Sequence, residues 1–240
     1  MAALGRPPDP AKAWSYFVDW TERAGGGGWL FRGHANKTWK LTPGAGRQPG
    51  YSKVREIQAL GAFRRQAALL ESGAGFDDWD WLALAQHHGL PTRLLDWTTN
   101  PLVACFFAVA SPNEEAEDGQ VIAIKVDRRD WLREPGGNAR SSPFNVDGVK
   151  LIRPKPLFGR VHAQHGVFSV HDTPNVAWAG PTPARGPGAR QSRFVIKAKW
   201  KPGLQQRLSL FGVDQARLMN DLDGVADVIK WRLSARLPLE

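Results

Sequence analysis

Apolar residues recur at helical spacing in several segments, which are separated by Gly, Pro and polar turns. Asp9 as N-cap and Pro10 at the first helical position predict a helix that runs to about Ala24. The same apolar periodicity predicts further helices over residues 53–72, 77–88, 101–110, 204–211, 214–220 and 223–233. In the helix over 53–72, the apolar positions predicted to face the core are Val54, Ile57, Leu60 (or Gly61), Phe63 and Leu70.

Shorter segments with β-branched and alternating residues predict strands over 29–32, 93–98, 120–126, 166–171 and 193–200. Residues 173–191 are rich in Pro, Gly and Ala, and a loop of this length predicts a mobile segment such as a lid. Residues 130–156 are weakly patterned. The helices and strands do not alternate as in a βαβ series. We therefore expect one α+β domain over residues 1–240, with a core of about 14–233.

Composition indicates a folded intracellular protein. Hydrophobic residues make up 42% and charged residues 23%, and 11 Trp and 11 Phe supply core material. The single cysteine, Cys105, excludes an intramolecular disulfide and suits a reducing compartment. The N-terminus has no apolar signal region, and the longest apolar run, 102–110, is far below the roughly 20 residues of a spanning helix. We expect a cytoplasmic protein without a membrane segment.

The net charge of +9 is concentrated in one part of the chain. Residues 150–201 contain ten Lys or Arg and one acid, Asp172. Such a basic stretch favours an anionic partner: a nucleic acid, a nucleotide or an acidic protein. Arg185, Arg190 and Arg193, on or beside the predicted loop, are the candidate nucleic-acid contacts. The alternative is a solvated surface without a specific partner.

Several familiar sites are absent from the sequence. The glycines 25–28 are not followed by Gly-Lys-Ser/Thr, so they form neither a P-loop nor a dinucleotide fingerprint. No Gly-x-Ser-x-Gly nucleophile motif occurs. His87-His88 and the pair His162 and His165 lack the carboxylates or cysteines of a zinc site, and we predict no bound metal.

The first candidate site segment is Phe31-Arg32-Gly33-His34 at the end of the first predicted strand. Glycine after arginine lets a backbone approach an anion closely, while the guanidinium group forks onto phosphate or carboxylate. The alternative is that Arg32 pairs with a core carboxylate such as Asp96.

The second candidate segment, residues 84–108, places polar residues densely among apolar ones. Asp96 and Thr98 alternate in phase and should share one face of the strand. Arg93 falls on the other face, where we expect it to pair with a carboxylate. The alternative for the whole segment is a buried polar network that only fixes the core.

These motifs resemble the FRG domain, a bacterial family named after its Phe-Arg-Gly motif. The resemblance covers Trp-Leu-Phe-Arg-Gly, Leu-x-Pro-x-x-x-Arg at 41–47 and the segment 86–108. It continues through Arg-x-x-x-Gln-x-Gly-x-Phe at 160–168 and the closing Leu-Met-Asn-Asp-Leu-Asp-Gly-Val-Ala, so that it spans about 14–233. The sequence departs from the family in the Pro/Gly-rich insertion after Thr173 and in His88, where an aromatic residue is more usual.

A looser resemblance to ADP-ribosyltransferases implies a site for NAD. An aromatic residue and arginine at the end of a first strand resemble the first motif of those enzymes. A strand that ends in Thr98 and leads into a helix resembles the second. The resemblance implies that Arg32, flanked by Phe31 and Gly33, holds a phosphate or ribose of NAD, and that Thr98 braces the nicotinamide side of the cleft.

The third ADP-ribosyltransferase motif is a glutamate in many such enzymes, and here the sequence departs from it. No Glu occurs between Glu134 and Glu240. Gln164 is the substitute we expect, because its amide can hydrogen-bond ribose hydroxyls. It cannot accept a proton at neutral pH, so proton transfer falls to Asp96, to His87 or to the acceptor itself.

The two resemblances together imply split antiparallel β-sheets around a cleft, flanked by helices. They imply an NAD-dependent transferase that carries ADP-ribose to an acceptor, with DNA or RNA as the first candidate. Such activities often belong to toxins or phage-defence effectors, and an antitoxin partner would not be visible in this sequence. The alternatives are a non-catalytic nucleic-acid or protein-binding module and a metal-independent hydrolase of nucleotides or nucleic acids.

Overall fold

The computed structural model describes residues 12–24, 27–68, 75–132, 142–155, 166–181 and 190–238. These residues form six strands: β1 Trp29–His34, β2 Leu94–Thr98, β3 Gly119–Lys125, β4 Val149–Ile152, β5 Gly166–His171 and β6 Gln191–Ile196. They also form seven α-helices: α1 Ala13–Arg23, α2 Lys53–Ala67, α3 Asp78–His87, α4 Pro101–Val109, α5 Lys201–Leu210, α6 Gln215–Met219 and α7 Leu222–Ser234. The predicted α+β class is confirmed.

The strands form one six-stranded sheet in the order β4-β5-β2-β1-β3-β6, and every neighbouring pair is antiparallel. The predicted pair of small split sheets is therefore wrong for the described residues. The two halves, β4-β5-β2 and β1-β3-β6, are nevertheless joined by a single residue pair, Phe31 with Thr98. By contrast, β1 pairs with β3 along its full length. The sheet is weakest at its centre, between β1 and β2.

The helices cover one face of the sheet in two groups. Helices α2 and α3 pack on the β4-β5-β2 half around residues such as Leu94, Phe168 and Val170. Helices α1, α4, α5 and α6 pack on the other half around Phe31 and Val121. The opposite face carries a third apolar cluster that includes Trp97 and Ile122 and is covered by connecting segments. Because the two helical groups pack on different halves of the sheet, a gap separates α3 from α4.

Helix α2 faces the core with only part of the predicted side. Leu60 is buried as predicted, but Val54 and Ile57 are exposed and Glu56 is buried. Glu56 points inward because its carboxylate accepts two hydrogen bonds from Arg93, one from Nε at 3.1 Å and one from Nη2 at 2.7 Å. The expected pairing of Arg93 with a carboxylate is confirmed. A doubly hydrogen-bonded buried ion pair here overrides the apolar pattern of the helix.

Other differences follow from short or irregular segments. Strand β4 lies in the weakly patterned region, since four residues are too few for a clear alternation. Strand β6 ends at Ile196 because a 3-10 turn, Ala198–Trp200, leads directly into α5. In the predicted mobile loop, Pro174 is buried and the Trp178 amide donates to the Leu41 carbonyl at 3.0 Å, whereas Val176 is exposed. Asp9, Pro10, Leu70 and residues 182–189 lie outside the described part of the chain.

Candidate functional site

A cavity of about 280 Å³ lies where β1 and β2 separate, between α3 and α4. Strands β1, β2 and β5 form its floor, and the two helices form its sides. The side chains that line it include most of the residues singled out in the sequence: Phe31, Arg32, Gln86, His87, Asp96 and Thr98. Asp96 and Thr98 meet the same space, as their common phase along the strand predicts.

Arg32 spans the gap between the two strands. Its Nη1 donates to the Asp96 carbonyl at 2.6 Å and lies 3.6 Å from Asp96 Oδ2, and its Nε donates to His34 Nε2 at 3.1 Å. The Asp96 carbonyl thus accepts a hydrogen bond from the Arg32 side chain, whereas in a continuous β-ladder it would accept one from a backbone amide. Burial lowers the pKa of Arg32 and Asp96 opposes this effect. The guanidinium remains charged at neutral pH.

Asp96 is a positioned carboxylate at the mouth of the cavity, with its side chain 53% exposed. Gln86 Nε2 donates to Asp96 Oδ2 at 3.1 Å, and Thr92 Oγ1 donates to Gln86 Oε1 at 2.5 Å. The hydroxyl of Thr92 therefore fixes which end of the Gln86 amide faces the carboxylate. Gln86 thus holds Asp96 by its Oδ2.

Thr98 ends β2 and helps to start α4. Its Oγ1 accepts from the Asn100 amide at 3.0 Å, and Asn100 Oδ1 caps the helix by accepting from the Leu102 amide at 2.9 Å. Pro101 occupies the first helical position. This strand-to-helix turn fixes the buried Thr98 against the cavity. His87 lies on the opposite wall, with its ring edge-on to that of His88 at 4.9 Å.

Gly33 has a structural reason to be glycine in addition to the predicted one. A Cβ at this position would lie 1.9 Å from the Ala104 carbonyl oxygen and 2.8 Å from the Ala108 amide nitrogen. Helix α4 therefore packs directly on the backbone of β1. The close approach that glycine permits at this position is that of a helix. Gly33 also lines the cavity, so its contact with an anion stays a prediction.

Two buried histidines lie near Arg32. Burial lowers the pKa of His34 to about 3, and the positive charge of Arg32 adds to this effect. Burial and Arg32 likewise lower the pKa of His171 to about 4. His171 Nε2 shares a hydrogen bond with Ser169 Oγ at 2.9 Å. Both imidazoles are neutral at neutral pH, so neither competes with Arg32 for an anion.

The three arginines predicted to bind nucleic acid have different positions. Arg190 is buried: its Nε donates to the Lys125 carbonyl at 3.0 Å, and its Nη2 pairs with Asp130. Its guanidinium is thus committed to the protein, which corrects its predicted role as a surface phosphate contact. Arg193 is exposed on β6. Arg185 and the candidate Gln164 lie outside the described residues.

Trp39 is a cavity residue that the sequence analysis missed. It lines the cavity, yet its side chain is 43% exposed. Its ring stands at 61° to that of His34, with centroids 6.1 Å apart. An isolated Trp between Thr38 and Lys40 gives no periodic signal. Its exposure at a concave surface is the feature that identifies it.

The described residues provide neither a metal site nor a membrane-spanning helix. They contain no group of three or more His, Cys, Asp or Glu placed to hold a metal ion. Within the same ranges, no helix has the length and apolar character needed to cross a membrane.

Comparison with known proteins identifies one family. Residues 27–117 match the FRG domain, so this part of the chain is an FRG domain. The match contains β1, α2, α3, β2 and α4 and thus most of the cavity wall, whereas Gly166 and Phe168 on β5 lie beyond it. No curated protein and no solved structure matches the chain.

Gly33→Ala should strongly destabilise the protein, because the added methyl group collides with the backbone of α4 rather than with a flexible side chain. We expect a loss of about 3 kcal/mol or more in the free energy of unfolding, measured by urea denaturation. Gly203→Ala in α5 is the matched control, because nothing lies within 4 Å of its added Cβ. Equal stability of the two variants would contradict the packing of α4 on β1.

Because of the two buried histidines, the free energy of unfolding should decrease as the pH is lowered. Unfolded histidine has a pKa of about 6.5, whereas the folded pKa values are about 3 and about 4. Below about pH 6.5 the unfolded chain therefore binds protons that the folded chain does not, and stability is lost as the pH falls toward 4.

Removing one buried histidine tests this linkage. Between pH 6 and pH 4.5, His34→Gln should reduce the slope of unfolding free energy against pH by about 1.4 kcal/mol per pH unit at most. The exposed His88→Gln serves as the control. Identical slopes for wild type and His34→Gln would show that His34 is protonated in the folded protein.

Proposed function

We propose that the FRG domain of this chain binds NAD in the cavity between β1 and β2 and transfers its ADP-ribose to an acceptor. The main support is the convergence of Arg32, Asp96 and Thr98, from two strands that are distant in sequence, around one cavity. The local order of these residues is that of the first two motifs that ADP-ribosyltransferases carry. The arrangement supplies a fixed cation, a carboxylate and a hydroxyl-bearing wall within one concave site.

The size of the cavity limits which part of NAD it encloses. Pockets that enclose a drug-sized ligand have volumes of roughly 300–1,000 Å³. The present cavity has about 280 Å³, and Phe31, Phe107 and Phe168 supply aromatic walls. It therefore suits the nicotinamide ring and the attached ribose, with Thr98 beside them. Arg32 at the gap then meets a phosphate or ribose oxygen of the dinucleotide.

The proposed reaction breaks the glycosidic bond between ribose C1′ and the nicotinamide nitrogen. The bonding electron pair leaves with nicotinamide, which becomes neutral, and positive charge develops on the ribose. A nucleophile of the acceptor bonds to C1′ and loses its proton. Asp96, held by Gln86, supplies negative charge beside the developing cation and can take that proton; His87 is the second candidate for the proton transfer. Gln164, for which we retain the role of ribose contact, lies outside the described residues.

For the acceptor we propose a nucleic acid, DNA or RNA. The overall charge of +9 and the ten basic residues within 150–201 favour an anionic molecule. Arg193 is exposed and can contribute, whereas Arg190 is held by Asp130. Action as a toxin or phage-defence effector, restrained by an antitoxin partner, fits an activity of this kind and belongs to the same proposal.

A second candidate function is a non-catalytic nucleic-acid or protein-binding module. The hydrogen bond from Arg32 to the Asp96 carbonyl favours it, because that contact gives Arg32 a structural task without any ligand. Under this alternative, NAD neither binds nor reacts.

Arg32→Lys separates the two functions. Lysine retains the positive charge but not the forked geometry, so NAD should bind about 10- to 100-fold more weakly, measured by calorimetric titration. The rate at which Arg32→Lys releases nicotinamide from NAD should decrease as well. The control is Arg55→Lys on the exposed side of α2, which should leave both quantities unchanged.

Thermal unfolding of the same variants completes the test. The transferase proposal predicts that Arg32→Lys loses NAD affinity at temperatures where the variant is still folded, even if its unfolding temperature falls because the hydrogen bond to the Asp96 carbonyl is weakened. A large drop in that temperature in a protein whose wild type does not bind NAD would support the purely structural role of Arg32. Asp96→Asn should retain NAD binding but release nicotinamide more slowly.

A further inference from the structure

Trp39 presents an aromatic surface at the mouth of the cavity. Its side chain is 43% exposed although it lines a concave site. The Trp39 amide donates to the Asn36 carbonyl at 3.2 Å, and His34 supports the ring edge-on. A held and exposed aromatic ring is a platform on which a planar ring of a ligand can stack.

Arg47 is a cation on a fixed backbone whose side chain has no partner among the described residues. It ends the 3-10 turn Ala45–Arg47. The Ala45 amide donates to the Thr92 carbonyl at 2.9 Å, and a Cβ at Gly46 would lie 1.9 Å from the Pro174 carbonyl oxygen. The turn is thus clamped on both sides. Through Thr92 it adjoins the hydrogen bonds that hold Gln86 and Asp96 at the cavity.

The neighbourhood of these two residues is electropositive. After burial, the positive charge of Arg32 is the largest influence that lowers the pKa of His34; Arg193 and Arg47 act in the same direction, whereas a backbone hydrogen bond of Trp39 raises it. The strand register places Arg193 on the same face of the sheet as Arg32, because Arg32 pairs with Ile122 and Ile122 pairs with Arg193. Asp96 is the carboxylate of the cavity lining.

We infer that Trp39 and Arg47 form a second subsite, beside the cavity, for the ADP half of the dinucleotide. The adenine ring stacks on Trp39, and Arg47 binds a phosphate. The cavity encloses only the nicotinamide end, so the remaining half of the ligand needs a surface outside it. This inference rests on the proposed function, because it assigns a place to the rest of the same ligand.

The experiment compares three probes by calorimetric titration: NAD, ADP and nicotinamide riboside. Trp39→Ala should weaken the binding of NAD and ADP about 5- to 150-fold, which is the range for loss of one stacked base. Arg47→Gln should weaken them about 10-fold or more. Nicotinamide riboside, which has neither adenine nor phosphate, should bind both variants as it binds wild type. Trp39→Phe should restore most of the lost affinity.

Matched controls are Tyr16→Ala, an exposed aromatic residue on α1, and Arg55→Gln on α2. Both side chains lie outside the cavity lining and should leave all three affinities unchanged. A short single-stranded DNA serves as a competitor. If Trp39→Ala and Arg47→Gln weaken DNA binding but not ADP binding, the surface belongs to the acceptor and the inference is overturned.

The binding and cleavage measurements distinguish a failure of this subsite from a failure of the proposed function. NAD that binds and is cleaved equally well by wild type, Trp39→Ala and Arg47→Gln overturns the subsite and leaves the transferase. ADP binding that depends on both residues, in a protein that releases no nicotinamide from NAD, supports the subsite and contradicts the transferase. Absence of both NAD and ADP binding in the wild type contradicts both.

Discussion

The hydrogen bond from Arg32 to the Asp96 carbonyl crosses the weakest line of the sheet, and the geometry of the cavity depends on it. Beyond the single pair of Phe31 and Thr98, the backbones of β1 and β2 do not pair. A charged side chain in this gap satisfies a strand carbonyl and keeps the two halves of the sheet at a fixed separation. The same separation leaves room for a cavity at the centre of the sheet, where a continuous ladder would leave none.

Two packing constraints keep this gap in place. Helix α4 lies directly on Gly33, so β1 cannot move away from the helix without losing that contact. The turn at Thr98 and Asn100 starts the same helix from the end of β2. One helix therefore holds the ends of both strands, and the cavity residues derive their positions from short, rigid connections.

The sequence predicted those parts of the site that local alternation determines. The common face of Asp96 and Thr98 followed from the two-residue period of a strand, and a carboxylate partner was expected for Arg93. The identity of that partner did not follow, because Val54 and Ile57 suggested that Glu56 faces solvent. The exposed Trp39 carries no periodic signal. Arg190 was predicted to be free to bind a phosphate, because its partner Asp130 lies 60 residues away in the sequence although the two side chains are in contact.

The most direct test of the central claim is hydrogen–deuterium exchange with and without NAD. If NAD enters the gap between β1 and β2, peptides that cover these two strands and the start of α4 should exchange more slowly with NAD, while those that cover β4 and α7 should not change. Arg32→Lys should abolish the difference. Unchanged exchange in β1 and β2 at an NAD concentration that saturates binding would show that the dinucleotide binds elsewhere, and would contradict the account.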